Sequence, residues 1–248
     1  MKRRSLVAAL PAFVLGSRVR AQEAPAGGPA SANGHRYVVM SLISDELVYV
    51  GAASMTTGSN INHSRYTRLP LTGAPYDRTA MEVLSGRMPR AESGSTLAFF
   101  SVSSREAYAD QEDWFDGDKV TLPKSLRETV AKEGAPRLLL LTKIRREALI
   151  SDGHETVGIG RLCGLGIYQD RATAVSLPGE AVRYALTAPY VYARLSVIDV
   201  ATWQQIRHHD MQLAKPILAS SQTALLGDLQ QLLIDGLGNA VDALFTPA

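Results

Sequence analysis

An almost unbroken apolar run, residues 137–144 (RLLLLTKI), lies just past the middle of the chain. A strand with one face in water alternates apolar and polar residues, whereas a strand covered on both faces does not. The run therefore predicts a strand with other elements packed on both of its faces. Such a strand belongs in a layered α/β domain.

Further β-branched and apolar segments predict more strands. They are residues 37–43, 47–53, 96–102 and 157–168. Only three polar residues separate the first two, so we expect these two strands to form a hairpin. Residues 191–200 and 203–208 flank Ala201 and Thr202 and predict a second hairpin. The polar, glycine-containing residues 55–73 predict a long loop.

Three segments predict helices. Asp77 is placed to cap a helix over residues 78–88 that ends at Pro89, and residues 122–133 predict a second helix that stops at Gly134. The C-terminal helix has an apolar stripe at 3.6-residue spacing. The stripe consists of Leu225, Leu226, Leu229, Leu232, Leu233, Leu237, Val241 and Leu244. The prediction is an α/β fold (an α+β mixed sheet), a single domain over residues 35–248 with helices packed on the sheet and an amphipathic helix at its C-terminus.

The N-terminal residues 1–21 read as an export signal. Lys2, Arg3 and Arg4 precede an apolar stretch (SLVAALPAFVLG), and small residues precede a cleavage point at Gln22. The sequence RRSLV resembles a twin-arginine signal, although Leu-Val stands where Phe-Leu is usual, so both export routes stay open. We expect a cleaved, periplasmic protein without a lipid anchor or membrane span. Residues 22–34 predict a flexible tail.

Charge argues against a nucleic-acid partner. Five of the 26 Lys and Arg residues lie in residues 1–21, which hold no acidic residue. The remaining chain carries 21 basic and 24 acidic residues, and therefore lacks the basic excess typical of nucleic-acid binding. The single cysteine, Cys163, excludes an internal disulfide and a cysteine-based zinc cage.

The order strand, helix, strand, helix, strand, hairpin and terminal helix resembles a group of bacterial envelope α/β domains. The local feature is a strand that ends in Asp199 before a short turn and a returning strand, residues 197–203. The group includes the curli-secretion lipoprotein, activators of penicillin-binding proteins and the N-terminal domain of the Tol translocation protein. This chain differs in lacking a lipid-anchoring cysteine and in its N-terminal strand pair with the long loop. The resemblance implies binding or assembly rather than catalysis, and it assigns no functional residue.

Two sets of residues are candidates for binding. Lys143, Arg145 and Arg146 follow the apolar strand and could bind an anionic glycan or a lipid headgroup, or simply form a solvated strand end. Aromatic side chains near loops form the second set, because aromatic residues are enriched in binding sites. Its members are Tyr66, Trp114 and Phe115. Packing in the core is the alternative for these rings.

Two short clusters are candidates for a metal. Asp152 and His154 lie within Asp-Gly-His-Glu, and His208 and Asp210 alternate on a predicted strand, so that they share one face. An ordinary polar turn and an ordinary strand end are the alternatives. No dinucleotide or phosphate-loop fingerprint is complete, and we expect no cofactor.

The leading hypothesis is a periplasmic, non-catalytic binding or adaptor protein of the cell envelope, with an envelope protein or polysaccharide as partner. A metal-assisted periplasmic hydrolase that uses the four candidate ligands is the alternative. Homo-oligomerisation is a third hypothesis, because exposed hairpins and edge strands invite pairing.

Overall fold

Strand β7 (Arg137–Lys143) is covered on both faces. Leu139 and Leu141 pack into one hydrophobic cluster, and Leu138 and Leu140 pack into another on the opposite side. All four leucines are fully buried. The prediction from the apolar run is therefore confirmed.

The computed structural model describes residues 34–52, 64–102, 104–151, 158, 160–175, 184–217 and 222–245. These residues contain eleven strands and three helices in a mixed α/β fold. The other strands are β1 (Arg36–Leu42), β2 (Glu46–Ala52), β3 (Arg65–Pro70), β4 (Thr96–Phe100), β5 (Phe115–Asp116), β6 (Lys119–Val120), β8 (Arg145–Glu147), β9 (Arg161–Val175), β10 (Tyr184–Asp199) and β11 (Gln204–Ala214). The helices are α1 (Pro75–Ala91), α2 (Lys124–Lys132) and α3 (Gln222–Phe245).

The sheet is mixed, and the long strand β10 organises it. Strand β1 lies between β4 and β7, parallel to both. Strand β10 runs antiparallel to β7, β9 and β11, so it joins the β4–β1–β7 part of the sheet to a second part made by β9, β2 and β3. Strand β2 is parallel to β9 and antiparallel to β3. The short strand β8 pairs with the start of β9.

Helices α1 and α3 cover one face of the sheet. Leu84 and Met88 of α1 and Leu233 and Leu237 of α3 are fully buried in the same cluster as the inward side chains of β7 and β10. The predicted C-terminal amphipathic helix is thus confirmed, and its apolar stripe seals this face.

Helix α2 and the segment that precedes it cover the opposite face. Leu126 and Val130 of α2 pack with Trp114 and with the buried side chains that β1 and β7 direct away from α1 and α3. Two 3-10 turns, Arg105–Tyr108 and Gln111–Trp114, lie in the segment before α2. The second turn carries residues that form the candidate site.

Two predictions about the N-terminal half are wrong. Strands β1 and β2 do not form a hairpin, because β4 and β7 already occupy both edges of β1. Within the predicted loop, residues 65–70 form strand β3, whereas residues 55–63 lie outside the described residues. All six residues of β3 are exposed. Because neither face of this edge strand is buried, its sequence lacks the apolar pattern that predicts a strand.

The predicted helix over residues 78–88 is also shifted. Helix α1 begins at Pro75 after Ala74, and Asp77 lies inside its first turn instead of capping it. Pro89 lies inside the last turn, where its exposed position leaves water to replace the missing hydrogen bond. The other strand and helix predictions are confirmed with shifted ends, including the β10–β11 hairpin.

Candidate functional site: a cationic cleft

A cleft of about 370 Å³ opens where β7, β8, β9 and β10 meet the second 3-10 turn. Most of its lining side chains are basic. The lining residues are Gln111, Glu112, Phe115, Lys143, Ile144, Arg145, Arg146, Arg161 and Arg194. Four arginines and one lysine thus converge from separate segments of the chain. This volume is at the lower end of the range for small-molecule sites.

Two neighbouring residues of the 3-10 turn fix one wall of the cleft. Gln111 Oε1 accepts a hydrogen bond from the Lys143 N–H at 2.7 Å, and Glu112 Oε1 accepts one from the Arg145 N–H at 2.6 Å. Gln111 is buried, and its Nε2 donates to the Leu42 carbonyl at 2.8 Å. The turn is therefore attached to the backbone at the end of β7 and the start of β8, so that the basic side chains leave from a fixed backbone.

Asp210 on β11 holds two of the arginines. It lies opposite Arg194 in the β10–β11 register and accepts hydrogen bonds from Nε and Nη2 of that residue. Arg146 Nη2 is a third donor at 3.2 Å. Burial disfavours the charged carboxylate, but the hydrogen bonds and positive charges of Arg194 and Arg146 outweigh this effect and lower the pKa of Asp210. Asp210 thus stays ionised and orients both guanidinium groups.

Asp45 fixes the side chain of Lys143 by an ion pair. Its Nζ lies 2.9 Å from Asp45 Oδ1 and 3.0 Å from Oδ2, and both side chains are mostly buried. The ammonium also lies 6.0 Å from the centre of the Tyr108 ring. Its charge is therefore largely balanced inside the protein.

Arg145 and Arg161 differ from the other three basic residues. Both are exposed, and neither forms an ion pair with a carboxylate in the described part of the chain. They lie on the paired strands β8 and β9, where Arg145 is opposite Cys163 and Arg161 is opposite Glu147. Burial raises the pKa of the Cys163 thiol, and the charges of Lys143 and Arg145 oppose this rise. Among the described residues, these two arginines are therefore the basic side chains of the cleft that no carboxylate pairs.

The buried carboxylate of Asp77 is the centre of a separate hydrogen-bond network. Asp77 Oδ1 accepts hydrogen bonds from Ser41 Oγ at 2.6 Å and from the Ile43 N–H at 2.9 Å, and Tyr108 OH donates to Oδ2 at 2.8 Å. Burial raises the pKa of Asp77, and these hydrogen bonds oppose the rise. The network joins α1 to the ends of β1 and the first 3-10 turn.

The structure brings together four of the six residues that the sequence proposed for binding. Phe115, Lys143, Arg145 and Arg146 line the cleft. Trp114 is buried in the core cluster under α2, where it packs instead of presenting a binding surface. Tyr66 is 48% exposed, and its hydroxyl donates to the Arg161 carbonyl at 3.3 Å, beside the cleft but outside its lining.

Sequence reasoning missed Gln111, Glu112, Arg161 and Arg194. A signal existed for Arg194, because a charged residue in an otherwise apolar strand needs a partner. The opposite-charge match with Asp210 on the returning strand of the hairpin could have been found by setting the two strands in register. The other three residues carry no local signal, because they meet only through the fold.

Of the four candidate metal ligands, two lie outside the described residues and two lie on strand β11. Asp152 and His154 lie outside the described residues. His208 is exposed, and its Nδ1 lies 2.8 Å from Gln205 Nε2, while both oxygens of Asp210 already accept hydrogen bonds from arginines. Among the described residues, no three His, Cys, Asp or Glu side chains are grouped so that they could hold a metal ion.

The fold and the cleft define a mixed α/β domain with a basic, ligand-sized depression where β7, β8, β9 and β10 meet the second 3-10 turn. No described helix combines the length and the apolar character needed to cross a membrane. No protein-family model matches the chain, and no curated protein matches it.

Solved structures resemble the chain at low identity. A DUF330 protein from Xanthomonas campestris is 10% identical, with a TM-score of 0.38 and coverage of 85% of this chain and 86% of that chain. PelC from Paraburkholderia phytofirmans, a dodecamer, is 10% identical, with a TM-score of 0.32 and coverage of 89% and 96%. A neuraminyllactose-binding hemagglutinin homolog from Helicobacter pylori is 9% identical, with a TM-score of 0.34 and coverage of 87% and 84%. At these values the neighbours assign neither an activity nor a partner to this chain.

Proposed function

We propose that this chain is an exported, non-catalytic binding protein of the bacterial envelope that holds an anionic partner in the cationic cleft. The observation that carries the proposal is the convergence of five basic side chains around one cleft. Asp210 and Asp45 orient three of them, whereas Arg145 and Arg161 are exposed and form no ion pair with a carboxylate within the described residues. An envelope polysaccharide or protein with acidic groups fits such a surface.

Export rests on residues 1–21, with their basic start, apolar stretch and small residues before Gln22. The test is to express the full chain in a bacterial host, separate periplasm from cytoplasm, and sequence the N-terminus of the recovered protein. A periplasmic form that begins at Gln22 is expected. A cytoplasmic chain that retains residues 1–21 would contradict the proposal.

Binding at the cleft is tested by calorimetry with a panel of anionic probes. The panel is polygalacturonate, polyglutamate and phosphatidylglycerol vesicles, each at low and high salt. At least one probe should bind at low salt, and its affinity should fall as salt rises. The double substitution Arg145→Gln and Arg161→Gln should weaken that binding about tenfold or more.

Arg90→Gln is the matched control, because Arg90 is an exposed arginine on helix α1, outside the cleft lining. It should leave the affinity unchanged. The cleft would be rejected if no anionic probe binds, or if the double variant and the control behave alike.

Homo-oligomerisation is a separate proposal, and strand β3 supports it. Within the described residues, β3 pairs only with β2, and all six of its residues are exposed. Such an edge can add a strand from a second copy. Gel filtration with light scattering should show an assembly that a Thr67→Pro substitution dissociates. A monomer at high protein concentration would contradict this proposal.

A further inference from the structure

The cleft combines three kinds of side chain that a simple anion would not need together. It presents two exposed guanidinium groups, a partly exposed aromatic ring and a carboxylate. Resting on the proposed function, we propose that the ligand is a carboxylated sugar unit, such as a uronic acid within an acidic oligosaccharide.

The two exposed arginines supply the site for one carboxylate. A guanidinium group is planar and can donate two parallel hydrogen bonds to a carboxylate. Arg145 and Arg161 lie on adjacent paired strands and line the same cleft. The charges of Arg146 and Arg194 are shared with Asp210, and that of Lys143 is shared with Asp45. Among the described residues, Arg145 and Arg161 are therefore the two basic side chains of the cleft that no carboxylate pairs, and their guanidinium donors can bind one ligand carboxylate.

Phe115 supplies an apolar wall. Its ring is partly exposed, and the Arg194 guanidinium lies 5.6 Å from its centre. A sugar ring has an apolar face of C–H groups that packs on an aromatic ring, whereas a free phosphate or a peptide carboxylate has none. A cleft of about 370 Å³ accommodates a ligand of one or two sugar rings.

Glu112 distinguishes a sugar carboxylate from a phosphate. Its carboxylate lines the cleft, with Oε1 accepting the Arg145 N–H. An ionised carboxylate accepts hydrogen bonds from sugar hydroxyls, which are donors. The same charge repels the second negative charge of a phosphate monoester, so Glu112 acts as an element of selection.

The experiment is calorimetry on the purified protein with matched ligands. They are a trigalacturonate, the neutral trigalactose, galactose 6-phosphate, a triglutamate peptide and phosphatidylglycerol vesicles. We expect the trigalacturonate to bind at least tenfold more tightly than each of the other four. Arg145→Gln and Arg161→Gln should each weaken it about tenfold, and Phe115→Ala should weaken it while leaving the response to salt unchanged.

The substitution Glu112→Gln tests the selection step. Glutamine keeps an oxygen for the Arg145 N–H but removes the negative charge. We expect the affinity for galactose 6-phosphate to rise several-fold and the preference for trigalacturonate to narrow. If the ratio of the affinities for trigalacturonate and galactose 6-phosphate is unchanged, Glu112 does not select between the two ligands, and the proposed assignment of the ligand is contradicted.

The outcomes separate this inference from the proposed function. Tighter binding of the phosphate, the peptide or the vesicles, if lost in the arginine variants, overturns the sugar assignment but keeps an anion-binding cleft. Equal binding of the neutral trigalactose also overturns the sugar carboxylate. Failure of all five ligands, with thermal melting showing folded protein, overturns both.

Discussion

Arg194 binds Asp210 through both carboxylate oxygens, with Nε 2.5 Å from Oδ1 and Nη2 2.9 Å from Oδ2. The two residues are directly opposite each other on the β10–β11 hairpin. Their side chains are only 15% and 20% exposed, so water competes weakly for the pair. With Arg146 as a third partner, Asp210 ties strand β8 to the hairpin.

Asp210→Asn should destabilise the protein at neutral pH by about 1–3 kcal/mol, because two guanidinium groups lose a charged acceptor in a partly buried site. Urea unfolding of the variant and the parent protein checks the value. Asp242→Asn is the control, since Asp242 lies on the exposed side of α3 and its contact with Arg87 is 4.0 Å long. Equal effects of the two substitutions would contradict the prediction.

The loss in free energy of unfolding caused by Asp210→Asn should depend on pH. The pKa of Asp210 is lowered in the folded state, so its ionisation stabilises the fold fully above the pKa of the unfolded chain. This stabilisation is lost as pH falls through the lower folded pKa. Unfolding measured from pH 7 to pH 2 should therefore show the two proteins converging in stability at the acid end. A difference that is constant with pH would contradict the assignment of the charge.

Gln111→Ala should loosen the wall of the cleft. The change removes the acceptor for the Lys143 N–H, in a part-buried position, and the donor to the Leu42 carbonyl, in a buried position. A loss of about 2–4 kcal/mol follows from leaving these groups without partners. Hydrogen exchange at the Lys143 amide should accelerate, whereas Gln231→Ala on the exposed surface of α3 should leave it unchanged.

Tyr108→Phe should lower stability by about 1 kcal/mol, because Asp77 loses one of its donors in a buried site. Asp77→Ala should cost more, about 2–4 kcal/mol, since it also leaves Ser41 and the Ile43 N–H without an acceptor. Chemical unfolding of both single variants and the double variant gives the coupling energy. Strictly additive effects would show that the two residues do not act together.

Gly166→Ala should destabilise the protein by about 3 kcal/mol, because the added methyl group would collide with the Val48 carbonyl and the Tyr190 hydroxyl. Gly227→Ala is the matched control. It lies in α3 with no atom within 4 Å of the added methyl group, and it should stabilise the helix by about 0.5–1 kcal/mol. Thermal unfolding of both variants distinguishes the collision from a general effect of replacing glycine.

The sequence predicted those parts of the fold whose burial pattern is local. The run at residues 137–144 predicted β7, and the 3.6-residue stripe predicted α3, because each pattern directly records which faces are covered. The pairing of β1 and β2 was predicted wrongly. Proximity in sequence favoured a hairpin, but β1 is apolar on both faces and is buried between β4 and β7.

The candidate site likewise contains some residues that the sequence predicted and others that only the fold brings together. Lys143, Arg145 and Arg146 are consecutive or nearly so, and their charge is visible in the sequence as a cluster. Arg161 and Arg194 are separated from them by many residues, and strand pairing alone brings all five together. Trp114 was proposed as a binding residue on the basis of its type, and only packing shows that it is buried.

By itself, the sequence determined the class of fold, the doubly covered strand, the closing helix and the basic cluster after β7. These features follow from hydrophobic periodicity and charge, which act over a few residues. The tertiary structure decided the strand order, the burial of Asp77 and the distribution of charge in the cleft. Those depend on which distant segments share a surface. Asp210 and Asp45 pair with three of the basic residues, whereas Arg145 and Arg161 are exposed and form no ion pair with a carboxylate among the described residues.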